Sequence, residues 1–163
     1  MQITLKNAAS RCFTQQLTRN NMANYYRQRN ILWNQQRFDE NWPRYQNYEV
    51  HLADKVVGVL RISFAERICY IREIQLLPAY QGSGIGGKLL DWVLERSRQQ
   101  QLEAVRLSVY TNNPARRLYS RKGFTVKQLH QGMYRMQYRL TDHPNTEPPQ
   151  SGSSGLLNCP HTY

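Results

Sequence analysis

Apolar and polar positions follow a helical period in some segments of the chain and a strand-like pattern in others. Ile85, Leu89, Trp92 or Val93, and Arg96 follow one another at steps of three or four residues with polar residues between them, which predicts an amphipathic helix over 85–100. Runs rich in β-branched and aromatic residues predict strands. The predicted order is helices over 17–29 and 31–45, strands over 48–53, 56–64 and 68–77, a helix over 85–100, a strand over 104–110, a helix over 114–121, and strands over 124–129 and 133–140.

This order predicts an α+β (mixed α/β) fold. Only residues 68–110 form a strand–helix–strand crossover, so we expect one parallel pair in a mixed, mostly antiparallel sheet flanked by helices. Residues 141–163 are rich in Pro, Ser and Gly without periodicity, and we expect a disordered tail there. The domain prediction is therefore a single folded domain over 1–140.

The composition narrows the possible compartments and partners. With 40% hydrophobic and 20% charged residues the chain is globular, and no apolar run is long enough to cross a membrane. The N-terminus lacks the apolar stretch of a signal peptide, so we expect a cytoplasmic protein. Cys12, Cys69 and Cys159 are too widely spaced for a disulfide framework or a zinc site.

The net charge of +11 could serve nucleic acid, an anionic cofactor, or simply a basic surface. Basic residues are spread along the chain, with one modest cluster at Arg116, Arg117, Arg121 and Lys122. Attraction of a polyanionic cofactor explains that cluster as well as nucleic acid does. We therefore do not expect nucleic acid to be the partner.

The stretch Q81-G-S-G-I-G-G-K-L-L90 fits three phosphate-binding patterns, because a glycine loop that leads into a helix presents free N–H groups to an anion. A P-loop requires Ser or Thr where Leu89 stands. A dinucleotide site requires an acidic residue at the end of the next strand, whereas Glu103 precedes that strand. The remaining pattern, Q-x-x-G-x-G, points to coenzyme A.

Two segments together resemble the GNAT superfamily of acetyl-CoA-dependent N-acetyltransferases. The first is I-Q-L-L-P-A-Y-Q-G-S-G-I-G-G-K-L-L, and the second, after an intervening strand, is N112-N-P-A-R-R-L-Y119-S-R-K-G-F124. The motifs cover about residues 69–125, and the order of elements extends the resemblance to about 140. It implies a GNAT fold whose sheet splays between its two parallel strands, acetyl-CoA as co-substrate, and no metal.

The resemblance also implies which residues hold the co-substrate. The pantetheine arm would bond to the backbone in the gap between the splayed strands, and the amides of the glycine loop would wrap the pyrophosphate. Asn112 matches the family's cofactor-contacting asparagine, with a helix N-cap as its alternative role. The implied cofactor-binding residues are Gln75, Leu76, Leu77, Gln81, Gly82, Ser83, Gly84, Ile85, Gly86, Gly87 and Asn112.

For catalysis, the resemblance implies Tyr119 as the acid that protonates the departing thiolate and the Leu76 N–H as the oxyanion donor. Glu73 is the only acidic residue in the strand that often supplies the base. The family's carboxylate often lies one residue earlier, where this chain has Arg72, so Glu73 requires a bulge to face the site. Its alternative is a salt bridge or hydrogen bonds to the N-terminal helices. Other candidates are Asp39, Glu40 and Glu49, or a water chain.

The predicted function is acetyl transfer to a primary amine of a small molecule or peptide. Segments 25–48 and 134–138 would line the acceptor site, and because carboxylates are few there we expect an anion-bearing amine or a peptide amine rather than a polycation. No membrane partner is expected, and a homodimer is compatible with the sequence. The alternative function is a coenzyme A or RNA-binding module without transfer activity. Most aromatic side chains of these segments are expected to pack the helices on the sheet, namely Tyr25, Tyr26, Trp33, Phe38, Trp42, Tyr45 and Tyr134.

Overall fold

The computed structural model describes residues 1–140, which form one seven-stranded sheet with helices on both faces. The strands are β1 (Ile3–Asn7), β2 (Gln46–Leu52), β3 (Lys55–Ala65), β4 (Ile68–Leu76), β5 (Ala104–Tyr110), β6 (Thr125–His130) and β7 (Met133–Arg139). The α-helices are α1 (Arg11–Gln28), α2 (Gln35–Asn41), α3 (Ile85–Gln99) and α4 (Ala115–Arg121). Short 3-10 turns cover Trp42–Arg44 and Pro78–Tyr80.

The strand order is β1-β2-β3-β4-β5-β7-β6. Over residues 1–140 only β4 and β5 pair in parallel, and α3 forms the crossover between them. The other pairs are antiparallel. The predicted mixed, mostly antiparallel α+β fold is therefore confirmed.

The sheet separates two apolar layers. Alternate residues of β5 such as Leu107 and Val109 pack with the buried face of α3, whereas Tyr110 packs with Met22 and Tyr26 of α1. Because successive side chains of a strand point to opposite faces, α1 and α3 cover opposite faces of the sheet. The site described below lies between these two layers.

The prediction missed β1 and misjudged both N-terminal helices. Strand β1 pairs with β2 at the edge of the described sheet and has five residues, so its alternation is too brief to identify. Helix α1 begins at Arg11 rather than at 17, because the Ser10 hydroxyl caps it by accepting from Phe13 N at 3.0 Å. Helix α2 is shorter than 31–45, since it begins only after Asn34, whose side chain accepts from Arg37 N at 2.9 Å.

The other predicted elements agree with the structure within one or two residues at each end. The predicted tail over 141–163, with Cys159, lies outside the described residues. Within those residues, Cys12 is exposed, Cys69 is buried, and both are free thiols. No helix over residues 1–140 combines the length and the apolar character required to cross a membrane.

Candidate active site

The parallel pairing of β4 and β5 stops partway along both strands. The register runs from Ile68 with Ala104 to Ile71 with Leu107, whereas β4 continues to Leu76 and β5 continues to Tyr110. Beyond the last pair the two strands diverge, and a gap opens between them. The predicted splay of the parallel strands is present.

Leu76 presents its backbone to this gap. Leu77 N donates to Val57 O at 2.9 Å, toward β3, and backbone groups of successive strand residues point in opposite directions. The N–H and C=O of Leu76 therefore face away from β3. A Cβ at Gly58 of β3 would lie 2.5 Å from Gln75 O, so the Gln75 carbonyl also faces β3. Of the three predicted residues of this strand, Leu76 alone directs its backbone into the gap.

Two side-chain amides reach the Leu76 carbonyl. Asn21 Nδ2 donates to it at 2.9 Å and Gln81 Nε2 donates at 3.1 Å. Asn21 Nδ2 also donates to Gln75 Oε1 at 3.1 Å. Sequence reasoning missed Asn21, because an asparagine in the middle of a helix carries no signal of its own.

The glycine loop combines two kinds of glycine. Gly82 and Gly84 adopt φ values of +69° and +87°, and a Cβ at either position would meet no atom within 4 Å. These two glycines therefore serve backbone conformation beside an open surface, with Gly84 as the N-cap of α3. A Cβ at Gly86 would lie 3.0 Å from Leu118 Cδ2, and one at Gly87 would lie 3.4 Å from Lys122 Cε. The second pair thus permits α3 and α4 to pack closely.

The loop and the start of α3 have the features of an anion-binding site. The first amides of a helix have no partner within that helix and carry its positive dipole end, so they attract phosphate. Ser83 fixes the loop by donating from Oγ to Tyr80 O at 2.5 Å. Lys88 donates to Met1 O, so its ammonium group is directed to the start of the chain. The open Gly82 and Gly84 positions fit a bulky phosphate group.

A β-bulge at Arg72 determines which face of the sheet the Glu73 side chain lies on. Arg61 of β3 pairs with Glu73, but the next residue, Ile62, pairs with Ile71, which leaves Arg72 as an extra residue in β4. Arg72 and Arg61 both lie over the ring of Tyr45, at 5.4 and 4.8 Å from its centroid. The bulge therefore brings Arg72 and Glu73 to the same face of the sheet, the face that α1 covers.

Glu73 is buried in a polar network. Its Oε2 accepts from Thr18 Oγ1 at 3.1 Å and from Arg61 Nη1 at 3.2 Å. Burial raises the pKa of the Glu73 carboxyl, and the charge and hydrogen bonds of Arg61 and Thr18 oppose that rise. The salt bridge and the hydrogen bond to an N-terminal helix, which the sequence offered as the alternative to a basic role for Glu73, are both present. A raised pKa also suits a group that accepts a proton.

The other acidic candidates are engaged elsewhere. Asp39 is exposed and forms an ion pair with Arg11, which lowers its pKa. Glu40 accepts from Gln36 on the surface of α2. Glu49 is buried, but its Oε1 accepts from Ala9 N and Ser10 N at 3.1 Å each, which fixes the entry to α1. Glu73 is therefore the candidate that combines burial with a place on β4.

Tyr119 lies on the other side of the sheet. Its ring packs edge-on against Phe124 at 6.1 Å, beside the apolar cluster that contains α3. Burial raises the pKa of Tyr119 to about 12, so the phenol keeps its proton at neutral pH. Tyr119 and Glu73 thus approach the sheet from opposite faces.

Asn112 is not the cap of α4. The N-cap residue is Pro114, and Asn113 Oδ1 accepts from Ala115 N at 2.9 Å, so the start of α4 does not use the Asn112 side chain. Asn112 instead accepts from Arg29 Nη2 at 2.8 Å and donates to Gln28 Oε1 at 3.1 Å. It connects the end of β5 with the C-terminal end of α1.

A cavity of about 570 Å³ lies where the gap opens. Its walls come from β4, β5, the β6–β7 hairpin and the segment around α2, so both predicted acceptor segments contribute. Tyr134 and Tyr138 pack instead with the cluster on the α3 side, because alternate residues of β7 point away from the cavity. Tyr26 and Phe38 are buried, in agreement with a packing role.

The fold and site together define a class. A mixed sheet that splays between its parallel strands, followed by a glycine-rich helix start, is the GNAT architecture. Residues 5–124 match the Acetyltransferase (GNAT) family, and the chain belongs to that family.

Individual relatives are distant. A ribosomal protein bS18 alanine N-acetyltransferase from Haemophilus influenzae is 26% identical over 91 residues, which cover 56% of this chain and 62% of that protein. This chain thus aligns with less than two thirds of the relative's length.

Three solved structures share the fold. The IAA acetyltransferase from Bacillus cereus has a TM-score of 0.68 at 16% identity, covering 85% of this chain and 100% of its own. The PaiA N-acetyltransferase from Thermoplasma acidophilum, solved in complex with coenzyme A, has a TM-score of 0.67 at 14% identity, covering 85% and 99%. The ribosomal-protein-S18-alanine N-acetyltransferase from Escherichia coli has a TM-score of 0.63 at 18% identity, covering 93% and 100%.

Proposed function

We propose that the protein is an acetyl-CoA-dependent N-acetyltransferase that acetylates a primary amine of a small molecule or a peptide. The observation that carries this proposal is the end of the β4–β5 ladder at the pair Ile71 and Leu107, with the Leu76 backbone facing the gap beyond it. Family membership supports the proposal. Two similar proteins are named as ribosomal protein alanine N-acetyltransferases. Their names support including a peptide amine among the proposed acceptors.

Acetyl-CoA fits the residues of the gap and the loop. Asn21 and Gln81 donate amide N–H groups to Leu76 O. The pantetheine arm carries amide N–H donors of the same type. The α3 N-terminus and the open surface at Gly82 and Gly84 suit the pyrophosphate. When bound there, acetyl-CoA supplies the acyl group as an activated thioester.

We assign a role in the transfer to three groups of the chain. Leu76 N–H donates to the oxygen that becomes negative as the amine adds to the acyl carbon. Tyr119 donates its phenolic proton to the sulfur as the carbon–sulfur bond breaks. Glu73 accepts a proton from the acceptor amine, directly or through water, because an amine with a pKa near 10 is mostly protonated at neutral pH.

The test is to incubate the purified protein with acetyl-CoA and a panel of primary amines while following free thiol. Release that depends on both an amine and the protein supports the proposal. Binding of acetyl-CoA without thiol release for any amine would favour the alternative, a coenzyme A-binding module without transfer activity. Thiol release that does not require an amine would show hydrolysis instead.

A further inference from the structure

The cavity at the mouth of the gap carries charge of one sign. Its lining contains Arg37, Arg72, Arg106, Lys127 and Arg135, and among residues 1–140 no Asp or Glu lines it. Charges of one sign in a concave site raise the local concentration of ligands of the opposite sign. The walls therefore favour an anionic occupant.

Three of these arginines are held by neutral oxygens. The hydrogen bonds run from Arg72 Nε to Ser63 Oγ at 2.8 Å, from Arg106 Nε to Gln137 Oε1 at 2.8 Å, and from Arg135 Nη1 to Gln128 Oε1 at 3.2 Å. Over residues 1–140, none of the three forms an ion pair with a carboxylate. The guanidinium groups are thus oriented while their positive charge is not neutralised.

Their position links them to the reacting centre. Arg72 directly follows Ile71, and Arg106 directly precedes Leu107, the two residues of the last ladder pair. Arg72 also lies over the Tyr70 ring at 4.7 Å, which restricts its side chain. An acceptor that enters the cavity therefore meets two guanidinium groups where the strands begin to diverge.

The charge argues against one class of acceptor and for another. A polyamine would bring several positive charges into a cavity with at least three unneutralised arginines, at an electrostatic cost. A carboxylate or phosphate would instead accept short, charge-assisted hydrogen bonds from the guanidinium forks. A volume of about 570 Å³ is also ample for such a ligand.

We infer that the acceptor is a primary amine that also carries carboxylate or phosphate groups, which Arg72, Arg106 and Arg135 bind. This inference rests on the proposed acetyl transfer and specifies its substrate class. The anion and the amine belong to one molecule, so the arginines orient the amine toward the gap.

The experiment compares matched pairs of acceptors that differ in charge. The pairs are phosphoethanolamine with ethanolamine, glutamate with its diamide, and an alanine-initiated peptide rich in aspartate with the same peptide rich in asparagine. We expect the anionic member of at least one pair to have the higher kcat/KM, and to lose that advantage as sodium chloride screens the arginines. The favoured pair distinguishes a phosphate, a small carboxylate and an acidic peptide as the source of the anion.

Arg135→Gln is the test variant, and Arg139→Gln is its matched control on the same strand. Arg139 is exposed and does not line the cavity. We expect Arg135→Gln to reduce the kcat/KM ratio of anionic to neutral acceptor on the order of tenfold, as loss of one charge-assisted hydrogen bond does. Arg139→Gln should leave that ratio unchanged.

The outcomes separate this inference from the proposed function. The inference would be overturned if neutral amines were acetylated as fast as their anionic partners and Arg135→Gln had no effect. The proposed transferase activity would still stand in that case. If no amine is acetylated, calorimetric titration of the three anionic amines into the protein with acetyl-CoA replaces the kinetic readout. Binding weakened by Arg135→Gln would then support the anion site without the transferase, and no binding would overturn both.

Discussion

Arg61 and Glu73 form a buried ion pair on the face of the sheet that α1 covers. Their Nη1 and Oε2 atoms lie 3.2 Å apart, and the side chains are only 5% and 8% exposed. Arg61 is further held by Asn47, whose Oδ1 accepts from Nε at 2.9 Å, and lies over the Phe38 ring at 4.8 Å. The carboxylate proposed to accept a proton is thus also part of the packing of the domain.

Glu73→Gln should therefore affect both stability and turnover. Because it leaves the Arg61 charge buried without its partner, the free energy of unfolding should fall by about 3–5 kcal/mol. If Glu73 is the base, kcat in the remaining folded protein should fall by about a hundredfold or more. Chemical denaturation measures the first effect and steady-state kinetics the second.

The pH dependence of kcat separates the base from a structural group. A base is inactive when protonated, and burial raises the Glu73 pKa above its ordinary value of 4.5. At saturating acceptor, kcat should rise with pH through a pKa above 4.5, and Glu73→Gln should abolish that limb. Thr18→Val is the control, since it removes one hydrogen bond but keeps the carboxylate and hence the limb. An unaltered profile in Glu73→Gln would assign the base elsewhere.

Tyr119→Phe tests the proposed acid. It removes only the hydroxyl, so kcat should fall by about a hundredfold while the Kd for acetyl-CoA, from calorimetry, stays nearly constant. Equal losses in kcat and in acetyl-CoA affinity would indicate a cofactor-contacting tyrosine rather than an acid.

The raised pKa of Tyr119 also predicts a stability difference at high pH. The phenol pKa is about 12 in the folded protein against an ordinary 10, so below pH 10 it is protonated in both states. Between these values the unfolded chain releases the proton more readily, so the stability that Tyr119 contributes is lost as pH rises. Thermal unfolding of Tyr119→Phe should accordingly be less sensitive to pH over this range than that of the wild type.

Gly84→Ala tests the proposed phosphate cradle, with Gly132→Ala as its control. Gly84 and Gly132 have φ values of +87° and +72°, and neither would place a Cβ in a steric clash. Both substitutions should cost roughly 1–2 kcal/mol of backbone strain. Only Gly84→Ala should weaken acetyl-CoA binding, as measured by calorimetry. Equal affinities of the two variants for acetyl-CoA would show that the loop does not bind the cofactor.

Asn21→Leu tests whether α1 aligns the gap. Asn21 donates to Leu76 O and Gln75 Oε1, so its loss should displace the β4 backbone and raise the KM for acetyl-CoA several-fold. Asn24→Leu lies about one turn later on the same helix and is exposed, with its Oδ1 accepting only from Arg27 among the described residues. Its kinetic constants should match the wild type. Matching constants for Asn21→Leu would show that the gap does not depend on this contact.

The central strands and the glycine loop could be predicted because their signals are local. The helical period of α3 and the run of β-branched residues in β3 each lie within one element. The positive φ of Gly84 likewise requires only that this one position be glycine. These features belong to the proposed cofactor side of the site, where the secondary-structure elements could be located from the sequence.

The acceptor side depends on contacts that the sequence does not encode locally. The bulge at Arg72, which aims Glu73 at Thr18, arises from the register between β3 and β4. The charged cavity gathers Arg72, Arg106 and Arg135 from three separate strands. Such groupings follow from strand order and side-chain alternation, so they appear only in three dimensions.

The proposed acetyl transfer is tested most directly by mass spectrometry of an amine incubated with the protein and isotopically labelled acetyl-CoA. We expect the amine to gain one labelled acetyl group on its primary nitrogen as coenzyme A is released. Bound acetyl-CoA that stays intact, or coenzyme A released while every amine remains unmodified, would contradict it.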